Sequence, residues 1–441
     1  MDAFTDNDLQ TMISSEFPAF NKVPSMNDYQ SMTKDGTHIC FDFNYGARVF
    51  IPKESKNVRV QIRDTDTGIL HVNQLCNNIE GEEQDLYIST KIKYFVNWDI
   101  YIFDVVTAKV VMHHVFNIDK DNRDIAIEMP FKGALGDTIA WFAMVAQFAK
   151  LHDKTRINLL MNESCHNLFD WSKYPNIYIK NKDYFELRHI QKGLYATYRI
   201  SMYYGNEKED DVYNNPVDYR ISGLAKIASN ILGMYDVDLV KPAIAPRLEE
   251  ARRTKGHKYV VIATKTTCHV KHWLNPLGWN TVVEYLQSLG YLVYCIDRDD
   301  CVFGHEKGNE SHFSAFYTPS KALDYTGKIS LSSRLNFIKH AELFIGLSSG
   351  LSWLAWLTET PVVMISNFTA AHNEFYTPYR VMNRTVCNSC WNDSRHKFIN
   401  SDWFYCPRHR NDTHAHECQR MISSQMVIDM INKALMKKVL Q

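Results

Sequence analysis

The hydrophobic period changes once between Arg123 and Phe148, and that change marks the first strand–helix pair. Arg123-Asp124-Ile125-Ala126-Ile127-Glu128-Met129-Pro130 alternates as a strand does, whereas Thr138 to Phe148 reads as a helix apolar enough to be buried. Between them lies the glycine-punctuated loop Phe131-Lys132-Gly133-Ala134-Leu135-Gly136-Asp137. Further strands are expected at Ile157–Met161 and Asn176–Ile179, and helices at Glu163–Trp171 and Tyr219–Leu232. The aromatic stretch from Tyr195 to Gly205 suits either core or a cleft wall. Pro242 to Pro246 makes a linker, and a second alternating series follows. Its strands are Tyr259–Ala263, Tyr291–Ile296, Leu343–Ile345 and Val362–Ile365, and its helices Thr281–Leu289, Ser332–Ala341 and Leu351–Thr358. Alternating strands and crossover helices predict parallel sheets. The fold class is α/β, with two successive Rossmann-like domains facing a cleft in the GT-B manner and a last helix, Gln425–Met436, packing back across the first domain.

Upstream the period is different. Ile39–Phe43 and Ala47–Ile51 flank the turn Asn44-Tyr45-Gly46, and Val58–Arg63, Gly68–Val72, Lys93–Val96, Ile100–Asp104 and Val110–Phe116 follow. Short alternating runs between turn signals predict a small β-sandwich or barrel, a packing or oligomerisation module. The chain thus divides into a polar arm (1–36), a β-domain (37–120), a first Rossmann-like domain (121–245) and a second Rossmann-like domain (246–441). The last includes a cysteine finger (385–420) and the C-terminal helix.

Composition narrows the function classes. The 441 residues carry a net charge of −1, which gives no global field toward nucleic acid or an anionic membrane. The start of the chain lacks a signal-peptide core, and no window approaches the ~18 apolar residues of a membrane span. A cytoplasmic protein is expected, in which the ten cysteines serve as thiols or metal ligands rather than disulfides. Cys40, Cys76, Cys165, Cys268, Cys295 and Cys301 are scattered and read as small apolar residues.

Four constellations carry chemistry. In the first loop, Gly133, Gly136 and Thr138 are substrate-side candidates, and Asp137 is either an N-cap or a carboxylate that takes a proton in a cleft. In Ile345-Gly346-Leu347-Ser348-Ser349-Gly350-Leu351-Ser352-Trp353 a strand turns into a helix whose free N–H groups favour a diphosphate, with Ser349 and Ser352 hydroxyls as added donors. After Ala263, hydroxyls and lysines cluster: Thr264 and Thr267 are donor-site candidates with Trp279, and Lys271 would neutralise charge on a departing phosphate. Thr326 and Gly327 form a turn suited to a nucleoside, and Asp297 ends a strand where a carboxylate meets ribose hydroxyls. In Cys387-Asn388-Ser389-Cys390, Cys406 and Cys418, four thiolates around one metal would fold a polar segment. Zinc is the generic metal and iron the alternative, with His396, His409, His414 and His416 as substitute ligands.

The chain resembles the bacterial autotransporter heptosyltransferases from about Phe41 to about Ile422. The carrying motifs are Phe43 to Val49, Gly133 to Asp137, Ile262-Ala263-Thr264 with Lys271, Cys295 to Asp299, Ser349 to Trp356, and Glu374-Phe375-Tyr376-Thr377-Pro378. The cysteine segment matches too, including Trp391, Cys406-Pro407-Arg408-His409 and Glu417-Cys418. Single pieces are shared with the heptosyltransferases of lipopolysaccharide assembly. The resemblance implies transfer of heptose from ADP-heptose to serines of a repeat-containing autotransporter adhesin, in the cytoplasm and before export. It implies Asp137 as general base, Ser349, Gly350, Leu351 and Ser352 as the diphosphate loop, and Lys271 as a donor-binding lysine. It also implies an iron-binding finger and a dodecameric ring. Lys265 departs from a family glutamine, and Ser352 replaces a threonine. Alternatives are a lipopolysaccharide-core acceptor, or a ring-forming scaffold that binds the nucleotide sugar without turnover.

Overall fold

The computed structural model describes residues 30–31, 39–55, 57–77, 85–120, 123–183, 194–202, 211–246, 256–399 and 402–439. The expected arm, apart from Gln30–Ser31, and the end of the aromatic stretch from Tyr203 onward lie outside them.

In chain order the first part holds β1 (Gln30–Ser31), β2 (Cys40–Asn44), β3 (Arg48–Ile51), β4 (Val58–Asp64), β5 (Leu70–Cys76), β6 (Leu86–Ser89), β7 (Trp98–Asp104) and β8 (Val110–Val115). Then come β9 (Asp124–Glu128), α1 (Leu135–Leu151), β10 (Arg156–Leu160), β11 (Ile177–Ile179), β12 (Ala196–Arg199) and α2 (Leu224–Ile231). The first sheet runs β11-β10-β9-β12-β2-β3-β6, with β1 on β2. Strands β11 to β2 along this order are parallel, and β3 and β6 are antiparallel additions.

This topology corrects the expected boundary near residue 120. β2 joins the α/β sheet by pairing in parallel with β12, Ala196 opposite Phe43. The tight turn after β2 serves that union: Gly46 has φ +100°, and the Tyr45 hydroxyl donates to Glu128 Oε1 at 2.8 Å. What stands apart from the first sheet is a four-stranded antiparallel sheet, β5-β4-β7-β8. Lys93–Val96 is an irregular segment rather than a strand, while Leu86–Ser89 pairs with β3 although its alternation did not predict it.

Within the described part of the aromatic stretch, β12 belongs to the core. Tyr195 and Tyr198 are buried among Phe43, Phe95 and Phe116. The expected Glu163–Trp171 helix is two short 3₁₀ turns. The expected Tyr219–Leu232 helix is broken at Gly223, whose φ is +77°.

The second half holds β13 (Tyr259–Ala263), α3 (Gly278–Ser288), β14 (Leu292–Cys295), β15 (Cys301–Glu306), β16 (Asn309–Tyr317), β17 (Leu323–Asp324), α4 (Leu331–Lys339) and β18 (Leu343–Leu347). It ends with α5 (Gly350–Trp356), β19 (Val362–Ile365), β20 (Arg380–Val381) and α6 (Ser424–Val439). Its sheet is wholly parallel in the order β17-β14-β13-β18-β19-β20. β15 and β16 form an added hairpin.

Both faces of this sheet are covered, which is why its strands read as continuous apolar runs. Val260, Ile262, Ile345 and Val363 face a cluster with Val282 and Leu286 of α3 and Val427 and Ile431 of α6. The C-terminal helix therefore packs on the outer face of its own half, not across the first domain; the Tyr285 hydroxyl donates to Asn432 Oδ1 at 2.5 Å. Tyr259, Val261 and Phe344 point the other way, into a cluster that continues through Trp353 to α1 and β9. α1 is buried on nearly every side, as an all-round apolar helix must be. No described helix is long and apolar enough to cross a membrane.

Gly223 tests this packing. A Cβ there would lie 2.4 Å from the His372 carbonyl oxygen, a backbone atom of the second half. Gly223→Ala is expected to cost about 1–3 kcal/mol and to lower the midpoint of a thermal melt. An unchanged melt would show that the His372 turn gives way freely.

Candidate active site

Ala134 stands at the N-cap of α1 in extended conformation, with no side chain capping the helix. Asp137 is therefore inside the first turn and its carboxylate is not the N-cap. Burial pushes that carboxyl up to about 6, and the nearby Lys271 ammonium pulls it down without cancelling the effect. A partly buried carboxylate with this value changes protonation close to neutral pH, as a general base must. Gly133 and Thr138 shape the loop rather than present groups to a ligand. Gly133 N–H donates to the Pro130 carbonyl at 3.0 Å, and the Thr138 hydroxyl turns back to the Ala134 carbonyl at 3.0 Å.

Gly136 has a different task. A Cβ on it would lie 3.0 Å from Trp353 Cδ1 and 3.3 Å from Gly350 Cα, and one on Gly350 would lie 2.8 Å from Leu135 Cβ. The first turns of α1 and α5, one from each half, are thus in contact. Asp137 and the Ser349–Gly350 turn lie at the same junction.

The turn into α5 keeps part of its expected character. Ser349 is extended at the N-cap, and its Oγ is buried with no hydrogen-bond partner among the described residues. An unpaired buried hydroxyl costs about 1–3 kcal/mol, so a bound anion would supply a missing acceptor. Ser352 does not share this role. It is fully buried and donates to the Leu347 carbonyl at 2.6 Å, beneath the turn. Leu351 packs on the shared core.

The turns after β13 and β14 are braced by Asp297, which corrects its expected part as a ribose ligand. Asp297 is buried; its Oδ2 accepts from Thr264 N–H and hydroxyl, both at 2.9 Å, and Lys265 Nζ at 3.3 Å. Thr264 is buried with it, held as part of the turn. Thr267 is exposed. Trp279 packs against Trp273 at the start of α3, with ring centroids 5.3 Å apart, and so has a packing role. The Thr326–Gly327 turn is held from below: Asp324 Oδ1 accepts Thr326 N–H at 2.8 Å, and Gly327 has φ +100°.

Two buried side chains organise these loops; the sequence did not single out Arg334, and it offered Glu374 only as part of a motif, without a role. Arg334 of α4 donates from Nε to the Ile296 carbonyl at 2.8 Å and from Nη2 to the Gly327 carbonyl at 2.7 Å, tying the β14 turn to the Thr326 turn. Glu374 accepts the Ser348 hydroxyl at 2.6 Å and pairs with Arg380 at 2.8 Å, fixing the start of the α5 turn. Both sit on faces whose local pattern looks solvent-exposed; only the tertiary fold closes over them.

The four finger cysteines are neighbours in space. Cys387 and Cys418 interact through their side chains, and the electrostatic surroundings of Cys418 include Cys387, Cys390 and Cys406. Among the described residues, no three His, Cys, Asp or Glu side chains are arranged to enclose a metal ion. The histidines bond other groups, His409 to Asp412 and His414 to Glu417, at 2.9 and 2.8 Å, and His416 to the Phe404 carbonyl at 3.2 Å, while His409 also stays in the electrostatic surroundings of Cys387. A donor set of thiols alone suits iron or zinc.

Known proteins share this fold. The glycosyltransferase family 9 (heptosyltransferase) model matches residues 226–401, and that of the glycosyltransferase TibC N-terminal domain matches residues 36–105. The autotransporter heptosyltransferase TibC of Escherichia coli O78:H11 (strain H10407 / ETEC) is 38% identical over 402 residues, 90% of this chain and 89% of that protein. The autotransporter heptosyltransferase BAHTCr of Citrobacter rodentium (strain ICC168) is 37% identical over 410 residues, 91% of each. The crystal structure of dodecameric iron-containing heptosyltransferase TibC in complex with ADP-D-beta-D-heptose matches with a TM-score of 0.77 at 33% identity, covering 95% of this chain and 100% of that one. The two α/β halves and their junction are thus those of a GT-B-like glycosyltransferase, and the chain belongs to the autotransporter heptosyltransferase family.

Proposed function

We propose that this enzyme transfers heptose from ADP-heptose to serine hydroxyls of an autotransporter adhesin with serine-rich repeats. The observation that supports it most is the Gly136–Gly350 contact, because it puts Asp137 beside the turn that carries Ser349. The serine oxygen attacks the anomeric carbon, and Asp137 accepts the hydroxyl proton as the new C–O bond forms. The bond from the anomeric carbon to the diphosphate oxygen breaks, and its electron pair leaves with ADP. Lys271, the Ser349 hydroxyl and the N–H groups of Gly350 and Leu351 stabilise that charge. Attack opposite the leaving group inverts the anomeric centre. Thr264, Thr326 and Gly327 shape the nucleotide side, braced by Asp297 and Arg334.

The finger would hold iron through Cys387, Cys390, Cys406 and Cys418, with the metal supplying a cross-link that a polar segment without its own core needs. The lack of an unfilled ligand position makes the site structural. The related structure is a dodecamer, and a dodecameric ring is the assembly proposed here. The work would be done in the cytoplasm, before the adhesin is exported. A lipopolysaccharide-core acceptor would give no mass gain on adhesin peptide.

Four outcomes test this. Incubation with ADP-heptose and a serine-rich adhesin repeat should add whole heptose units to the repeat by mass spectrometry; an unmodified repeat would sink the acceptor assignment. Asp137→Asn should lower kcat by about 10²–10⁴-fold while ADP still binds. Because the base must be ionised, kcat/KM of the native enzyme should rise with pH and level off above about 6, the value at which burial holds Asp137. A flat profile between pH 5 and pH 7 would remove Asp137 from the role. Elemental analysis of Cys387→Ser and Cys406→Ser protein should show loss of iron; full retention would reject the four-thiolate site.

A further inference from the structure

The cysteine segment reaches the site through one ring. Trp391 follows Cys390 and is buried, and Lys271 Nζ lies 5.4 Å from the centroid of its ring. The same indole donates from Nε1 to Asn373 Oδ1 at 2.9 Å. Asn373 Nδ2 donates to Glu374 Oε1 at 2.9 Å, and that oxygen also accepts the Ser348 hydroxyl at 2.6 Å. Trp391 therefore touches the lysine directly and the turn into α5 through two intermediates.

Contacts to the first half surround it. The Tyr219 ring lies 5.8 Å from the Trp391 ring. Asn392 Nδ2 donates to the Arg220 carbonyl at 2.8 Å, and Arg220 Nη1 returns a bond to the Ser394 carbonyl at 2.8 Å. The finger thus bridges both halves beside Lys271. A lysine head on a flexible four-carbon stem keeps no fixed position unless something holds it, and an indole face is the best aromatic partner for such a cation.

We propose that Trp391 is a positioning residue for transfer. Its indole holds the Lys271 ammonium toward the leaving diphosphate and, through Asn373 and Glu374, steadies the Ser348–Gly350 turn. This rests on the assignment of Lys271 to the donor diphosphate. It gives the finger a part in the chemistry beyond holding a metal.

The test is a double-mutant cycle on the full-length protein, with ADP affinity by calorimetry, kcat and KM for ADP-heptose, and iron content for every variant. Trp391→Leu with iron retained should weaken ADP binding about three- to thirtyfold, and Trp391→Phe, which keeps a ring, should recover part of it. In a Lys271→Met background, Trp391→Leu should cost clearly less than in the native one. Equal cost in both backgrounds, or native ADP affinity in Trp391→Leu, overturns the proposal. Native ADP affinity in Lys271→Met overturns the underlying assignment as well. If Trp391→Leu does not fold, the same cycle with Trp391→Phe decides, with a smaller coupling of the same sign expected and none overturning the proposal.

Discussion

Gly136 at the start of α1 and Gly350 at the start of α5 approach so closely that neither position has room for a Cβ without displacing its neighbour. The proposed chemistry depends on that approach. It brings two positive helix ends together, one bearing a carboxylate and the other an unsatisfied hydroxyl. Either loop alone would be an ordinary strand-to-helix turn. Their contact puts a carboxylate and a buried hydroxyl without a partner among the described residues at one junction.

The surrounding structure holds this contact in position from several directions. α1 is buried within the first half and packs on Trp353 of the second. Glu374 fixes Ser348 from one side, while Asp297 and Arg334 fix the turns after β13 and β14 and the Thr326–Gly327 turn from another. These are buried charges with satisfied partners, so they contribute rigidity where removal of one partner would be costly. At the junction itself the Ser349 hydroxyl is buried without a partner among the described residues.

Much of this was legible in the chain because parallel strands covered on both faces write themselves as apolar runs, and because a glycine-rich loop between such a run and a helix has few other uses. The Asp137 loop, the Ser349 turn and the second half's strand set were found that way. Strand β2 was not, since its partner in β12 lies far along the chain and alternation does not name the sheet a strand will join. Ser352 and Asp297 failed for another reason. A hydroxyl or carboxylate at a strand end has the same local sequence whether it turns outward to a ligand or inward to a carbonyl or a neighbouring loop. Trp391 could be named as part of the cysteine segment, but its contact with Lys271 exists only in three dimensions.

The apolar cluster that runs unbroken from β9 through α1 and Trp353 to Val261 and Phe344 bears on how the enzyme turns over. Two lobes joined only by a linker could swing apart about a hinge to exchange nucleotide. Here a wide swing would strip solvent-averse surface on both sides at once, at a cost proportional to the area exposed. Exchange of ligand through small movements of the rim loops exposes less of that surface than a hinge swing does, and the packing therefore favours it.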